Sequence, residues 1–161
     1  MIEDDEDAIF KQASKEWDAG KTKQAYKLFA QAAEQGDLSS LHNLAYFYDV
    51  GIGVTKNEKK ALRLYKHAVR QGNVTSMCNI GTIYRDWGNF RRARFWFLKA
   101  FENGDGDAAL ELAKMYLKRN ARGDSKRASK YLKLAISAKS VTEASVEEAE
   151  LLLSNLTTSE N

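Results

Sequence analysis

Gln24-Ala-Tyr-Lys-Leu-Phe-Ala-Gln-Ala-Ala-Glu-Gln-Gly-Asp37 is the stretch that decides the fold, because it returns three times in altered form. Residues 60–73 read KALRLYKHAVRQGN, residues 92–105 read RARFWFLKAFENGD and residues 127–140 read RASKYLKLAISAKS. Successive copies begin 36, 32 and 35 residues apart. A period of that size is the length of one helical hairpin, which cannot bury its apolar face alone and has to stack on its neighbours. The repeat therefore points away from a catalytic scaffold and toward a surface built for binding.

Apolar residues recur at fixed slots within each copy: Ala25, Leu28, Phe29, Ala32; then Ala61, Leu64, Tyr65, Ala68; then Ala93, Trp96, Phe97, Ala100; then Ala128, Tyr131, Leu132, Ala135. Offsets of three, four and seven place each set on one helical face. The small residues permit close helix approach and the large ones fill the layer between hairpins. Gly36, Gly72 and Gly104 follow the first three helices as stops, whereas the fourth copy has Lys139 there. A preceding helix repeats as well, through Leu41, Leu44, Ala45, Tyr48, then Met77, Ile80, Gly81, Tyr84, then Ala109, Leu112, Ala113, Tyr116. The first unit matches less well, with Ile9, Ala13 and Trp17. Asp37, Asn73 and Asp105 stand where a side-chain oxygen caps a helix start.

The expected architecture is an all-α, right-handed α-solenoid of about four antiparallel helix pairs with a C-terminal capping helix. It forms one domain over residues 1–161, with units near 3–37, 38–73, 74–105 and 106–140. The capping helix, near 142–156, presents Val146, Ala149, Leu153 and Leu156 on one face, and residues 157–161 fray. Proline is absent, which suits helices throughout.

Bulk properties narrow the function. No apolar run reaches membrane-spanning length, so no membrane partner is expected. The start, MIEDDEDAIF, is acidic where a secretory signal is basic, and one cysteine excludes an internal disulfide framework; a cytoplasmic location is the expectation. Charge is unevenly spread. Glu3 to Asp7 are consecutive acids, expected to stay solvated, while residues 85–139 hold fourteen Lys/Arg against six Asp/Glu. Such a basic centre can steer an acidic partner.

The segment Leu44-Ala-Tyr-Phe-Tyr-Asp-Val-Gly-Ile-Gly-Val-Thr-Lys-Asn-Glu-Lys-Lys-Ala61, followed by Tyr65-Lys-His-Ala-Val-Arg-Gln-Gly72, resembles the Sel-one-like repeat, with its tyrosine, Gly-x-Gly-Val turn, alanine and terminal Ala-x-x-Gly. Tyr84-Arg-Asp-Trp-Gly-Asn-Phe-Arg-Arg-Ala93 is closer to an ordinary tetratricopeptide hairpin. The resemblance covers about residues 8–140 and implies a scaffold for protein–protein contacts.

Candidates for chemistry have plainer readings. Cys78, the sole thiol, aligns with His42 one repeat earlier, yet no nucleophile–base–orienter set accompanies it. His42 and His67 lack a third ligand, so no metal or other cofactor is expected. Gly51-Ile-Gly-Val54 lacks the ending of a phosphate loop and reads as a lengthened turn. Lys126, Lys130 and Lys133 share one helix face, with Lys118, Arg119 and Arg122 in the adjoining turn; a solvated face outweighs nucleic acid there, and an acidic protein partner lies between. Trp87 and Phe95 have no apolar counterpart in the other copies, and local packing near Gly88 is favoured over an exposed anchor.

Partner-binding residues are expected on the first helix of each pair, lining a concave groove: Phe10 and Trp17; His42, Asn43 and Tyr46; Cys78, Asn79, Thr82 and Arg85; Leu110, Lys114, Leu117 and Lys118. Aromatic anchors interleaved with amides and cations suit a protein ligand, and Asn43 and Asn79 occupy equivalent slots. The reading is a non-enzymatic interaction module binding a protein partner. Its concrete form is an immunity protein that blocks a bacterial toxin domain, and its alternative an adaptor in a larger complex. A hydrolase and a nucleic-acid binder rank below both.

Overall fold

The structure, a computed structural model, describes residues 3–158, with side chains from residue 8 onward. The side chains of the acidic run 3–7 and the tail residues 159–161 lie outside the described residues. Among the described residues every regular element is an α-helix: α1 (Glu3–Asp18), α2 (Thr22–Glu34), α3 (Leu38–Val50), α4 (Glu58–Arg70), α5 (Thr75–Asp86), α6 (Phe90–Glu102), α7 (Asp107–Arg119), α8 (Asp124–Ser137) and α9 (Glu143–Thr158). The chain is all-α, built of helical hairpins as the repeat period requires. Two compact units are distinguishable, Met1–Ser76 and Met77–Asn161.

Punctuation follows local chemistry. Asp37 accepts the Ser40 N–H at 2.9 Å, Asn73 accepts the Ser76 N–H at 2.9 Å and Asp105 accepts the Ala108 N–H at 3.3 Å, each satisfying a helix-start amide. Gly36, Gly72 and Gly104 stop their helices at φ near +100°, where a side chain is strained. The fourth copy ends differently: Ala138 leaves α8 extended, and the chain crosses to the start of α7. There the Gly106 N–H donates to the Ser140 carbonyl at 2.7 Å, so closely that a Cβ on Gly106 would sit 2.2 Å from that oxygen.

In the first unit Ala13, Ala25, Phe29 and Phe47 form the core, with Phe10, Trp17, Tyr26, Leu28, Ile52 and Val54 packed on it. Ile52 and Val54 come from the Gly-Ile-Gly-Val turn. Gly51 and Gly53 adopt φ of 76° and 73°, which lets the turn fold back and return two apolar side chains to the core. On its outer side the Tyr26 and Tyr48 hydroxyls meet at 2.7 Å, and Lys60 Nζ donates to Tyr48 at 2.7 Å.

Of the four repeated slots on each second helix, three are buried in every copy: Ala25/Ala61/Ala93/Ala128, Phe29/Tyr65/Phe97/Leu132 and Ala32/Ala68/Ala100/Ala135. The remaining slot, Leu28, Leu64, Trp96 and Tyr131, is half-buried, so the core stripe is narrower than the pattern suggests. On the first helices two further slots are buried that the sequence reading passed over. One is Phe47, Ile83 and Met115; the other is Ser40, Ser76 and Ala108. Helix α9 starts and ends close to expectation, but only Ala149 on it is buried, and Leu151 is exposed.

In the second unit Gly81 of α5 faces the Phe97 ring of α6, and a Cβ there would lie 2.6 Å from two ring carbons. The side chain is missing because the ring occupies its place. Gly81→Leu should therefore destabilise the protein by about 3 kcal/mol or more, the upper end for overpacking a closed core. Chemical denaturation monitored by circular dichroism would show the loss as a lower midpoint, and an unchanged midpoint would contradict the crossing.

Candidate functional site

Four of the five residues expected to bind in the first unit converge on one depression of about 440 Å³. Trp17 enters from α1 with Ser14 and Asp18, while His42, Asn43 and Tyr46 enter from α3 with Phe47, and Phe29 of α2 forms part of the wall. The helical period explains the convergence: Ser14, Trp17 and Asp18 lie three and four apart on α1, and His42, Asn43, Tyr46 and Phe47 do the same on α3. Trp17 meets Phe47 edge-on at 5.1 Å and Tyr46 at 6.3 Å, which fixes both rims. Tyr46 is 39% exposed. Among the described residues the side chains of Asn43, Asp18 and Tyr46 have no hydrogen-bonding partner. Phe10 takes no part, since its half-buried ring packs edge-on against Phe29 at 5.9 Å.

His42 is held from beneath. Its Nδ1 lies 2.9 Å from Ser76 Oγ, and its ring lies 5.5 Å from that of Tyr65. Burial pushes the imidazole below its ordinary value of 6.5. One repeat earlier the slot of His42 is filled by Phe10, which offers no polar atom, and the equivalent hydroxyl, Ser40 Oγ, is buried with no partner among the described residues. The two serines therefore carry opposite signs. Removing Ser40 Oγ relieves a desolvated orphan, whereas removing Ser76 Oγ breaks its bonds to His42 and Asn73.

The second unit treats its predicted residues differently. Arg85 forms an ion pair with Glu111 of α7 and reaches Asp86, and Lys114 bonds Glu111 at 3.3 Å and Glu148 of α9 at 2.8 Å. Leu110 is 2% exposed and belongs to the core, which corrects its assignment as a contact residue. The physical reason is coverage: α7 packs on α6, α8 and α9, and seven of its thirteen residues are buried. On the first-helix face expected to stay open, Lys114 is engaged by Glu148 of the capping helix. Asn79, Thr82 and Leu117 are half-buried and Lys118 is exposed.

Burial pushes the Cys78 thiol upward, reinforced by the carboxylates of Asp105, Glu111 and Asp107, which disfavours the thiolate. Among the described residues no three His, Cys, Asp or Glu side chains cluster as metal ligands, and no helix is long and apolar enough to cross a membrane. Asp18, Ser14 and Phe47 were missed by sequence reasoning. Only Phe47 carried a signal, its register with Ile83 and Met115.

Helical hairpins recurring at a fixed period define a helical-repeat protein. The Sel1 repeat model matches residues 20–37, 38–73, 76–105 and 106–140, and the chain belongs to that family. A Sel1 repeat protein from Oxalobacter formigenes is 31% identical with a TM-score of 0.61, over 73% of this chain and 49% of that one. A protective antigen of uropathogenic Escherichia coli displaying an SLR fold is 28% identical with a TM-score of 0.59, over 70% of this chain and 25% of that one. This chain thus spans about half the length of the first and a quarter of the second. An immunity protein of Pseudomonas aeruginosa is 19% identical, over 94% of this chain and 80% of that one, at a TM-score of 0.41, which carries no functional argument. No curated protein matches the chain.

Two outcomes follow from the α3 geometry. Ser40→Ala should leave stability unchanged or raise it, while Ser76→Ala should lower it by about 1–2 kcal/mol, measured by urea denaturation. Because the folded value of His42 lies below the unfolded one, the unfolded chain takes the proton first. Stability is then intact above about pH 6.5 and declines as pH falls below it. In His42→Gln the decline between pH 7.5 and pH 5 should be shallower than in the wild type, read from the urea midpoint.

Proposed function

We propose that the chain is a non-enzymatic protein-interaction module, and that in its first unit the partner seats on the depression between α1 and α3. The observation that carries this reading is the joint placement of Trp17 and Tyr46 beside unpartnered Asn43 and Asp18 groups. Aromatic side chains supply rigid contact area at small entropic cost, and an amide beside them fixes the orientation of a bound backbone. Membership of the Sel1 repeat family supports the same class. The raised thiol of Cys78 supports no hydrolytic alternative.

In its narrower form the partner is a toxin domain, neutralised in a one-to-one complex; in the broader form the chain is an adaptor within a larger assembly. Affinity purification from the native host followed by mass spectrometry separates them. A stoichiometric pair that protects cells from a co-expressed toxin supports the narrower form, and a multi-component assembly without protection supports the adaptor. In either case Tyr46→Ala should weaken partner binding by about tenfold or more while the melting temperature stays within a few degrees of wild type. Equal partner recovery by Tyr46→Ala and Trp17→Ala proteins would overturn this surface as the site.

A further inference from the structure

The second helices carry an exposed cation at one shared slot of the repeat. The exposed slot two residues before the first buried alanine is Lys23 on α2, Lys59 on α4, Arg91 on α6 and Lys126 on α8, a cation in every copy. Stacking does not ask for this, because the slot lies opposite the buried alanines. In the second unit the basic face is most developed. Lys126, Lys130 and Lys133 stand one turn apart on α8, all exposed, around a depression of about 800 Å³ whose apolar floor includes Leu134.

The cations of that end of the unit divide into two groups. Arg119 and Arg127 both clasp buried Asp124, at 2.5 Å and 3.0 Å, and their hydrogen bonds hold its carboxyl well below the usual carboxylate range. Both arginines are tied to this one carboxylate, although their side chains remain partly exposed. Lys126, Lys130 and Lys133, in contrast, have no carboxylate within ion-pair distance among the described residues. Asp124 thus offsets one charge of the arginine pair at the turn and none of the lysine stripe.

Helix α6 is linked to α8 through the side chains of Arg94 and Tyr131. Arg94 of α6 donates to the Tyr116 hydroxyl at 3.0 Å, and Tyr116 stacks on Tyr131 of α8 with centroids 5.8 Å apart and planes 10° from parallel. Arg94 is held in its charged form chiefly by the Tyr116 bond, with Tyr131 also contributing, so α6 and α8 meet through one arginine–tyrosine cluster. On the outward side of α6, Phe95 is 56% exposed between Arg91 and Lys99. Lys99 Nζ lies 5.9 Å from the Phe95 ring centroid.

We propose that this α6–α8 face docks an acidic, amphipathic segment of a partner protein, whose carboxylates meet Arg91, Lys126, Lys130 and Lys133 and whose apolar residue covers Phe95. Charge complementarity argues for an anionic occupant, since the unpaired cations lie on one side and the basic excess of residues 85–139 concentrates there. The exposed phenyl ring argues for a protein rather than a phosphate polymer. Single-stranded nucleic acid needs successive stacking platforms, and the slot equivalent to Phe95 on α8 is Lys130. An amphipathic acidic segment uses both the cations and the ring. This surface is separate from the α1–α3 depression and does not rest on it.

The test is fluorescence anisotropy with the full chain and a fluorescein-labelled amphipathic peptide of glutamate and leucine. Wild-type protein should bind it, with affinity falling as salt screens the charges. Lys130→Glu combined with Lys133→Glu should raise Kd by more than about tenfold, and Phe95→Ser by about threefold or more. Tyr46→Ala should bind like wild type, which keeps failure of this face distinct from failure of the α1–α3 reading. The substituted side chains are exposed, and matching melting curves confirm the fold; Lys130→Gln serves as a milder variant. Unchanged peptide binding in the charge-reversed protein would overturn the proposal. So would single-stranded DNA or anionic vesicles that bind far more tightly than the peptide and displace it.

Discussion

Close approach of two helices at a small residue is the constraint on which the rest depends. A hairpin of two short helices gains little from propensity alone, because helices of twelve to sixteen residues are marginal in isolation. What holds each pair is the alanine, large residue, alanine stripe of the second helix against the small slot of the first. At Gly81 even the methyl is absent, and the Phe97 ring fills its place. Four large residues, Phe29, Tyr65, Phe97 and Leu132, are buried at the same slot of their helices. Their differing shapes explain why copies that share a period share so few residues.

Once the small-residue crossings set the spacing, the remaining positions are released for other uses. On α1 and α3 the released residues are aromatic and amide, and they gather into a depression rimmed by Trp17 and Tyr46. On α7 Leu110 is buried in the core, and Lys114 is drawn into an ion pair with Glu148 of α9. The first helices of the two units therefore present different chemistry from the same register. On α8 the lysine stripe is unbalanced, because Asp124 pairs only with Arg119 and Arg127.

The helices and their boundaries were legible because they depend on local chemistry. Apolar spacing, the Asp37, Asn73 and Asp105 caps and the Gly36, Gly72 and Gly104 stops act within a few residues, and a linear reading recovers them. The buried slot of Phe47, Ile83 and Met115 was missed because it sits at the edge of the apolar stripe, where period alone does not separate buried from exposed. The site was half legible. Trp17, His42, Asn43 and Tyr46 were found by eliminating core positions, but Asp18 and Ser14 reach the same wall only because α1 crosses α3 at a particular angle.

By itself the sequence determined the all-helical class, the hairpin period, the helix ends and the basic excess of its second half, since each follows from the identity and spacing of near neighbours. Only the tertiary structure decided which of those residues are spent on the fold. Leu110, Arg85 and Lys114 read as free surface, yet Leu110 is buried and the carboxylates of Glu111 and Glu148 hold the two cations. Burial and ion pairing depend on distance in space, and residues separated by a full repeat acquire that distance only when the hairpins pack.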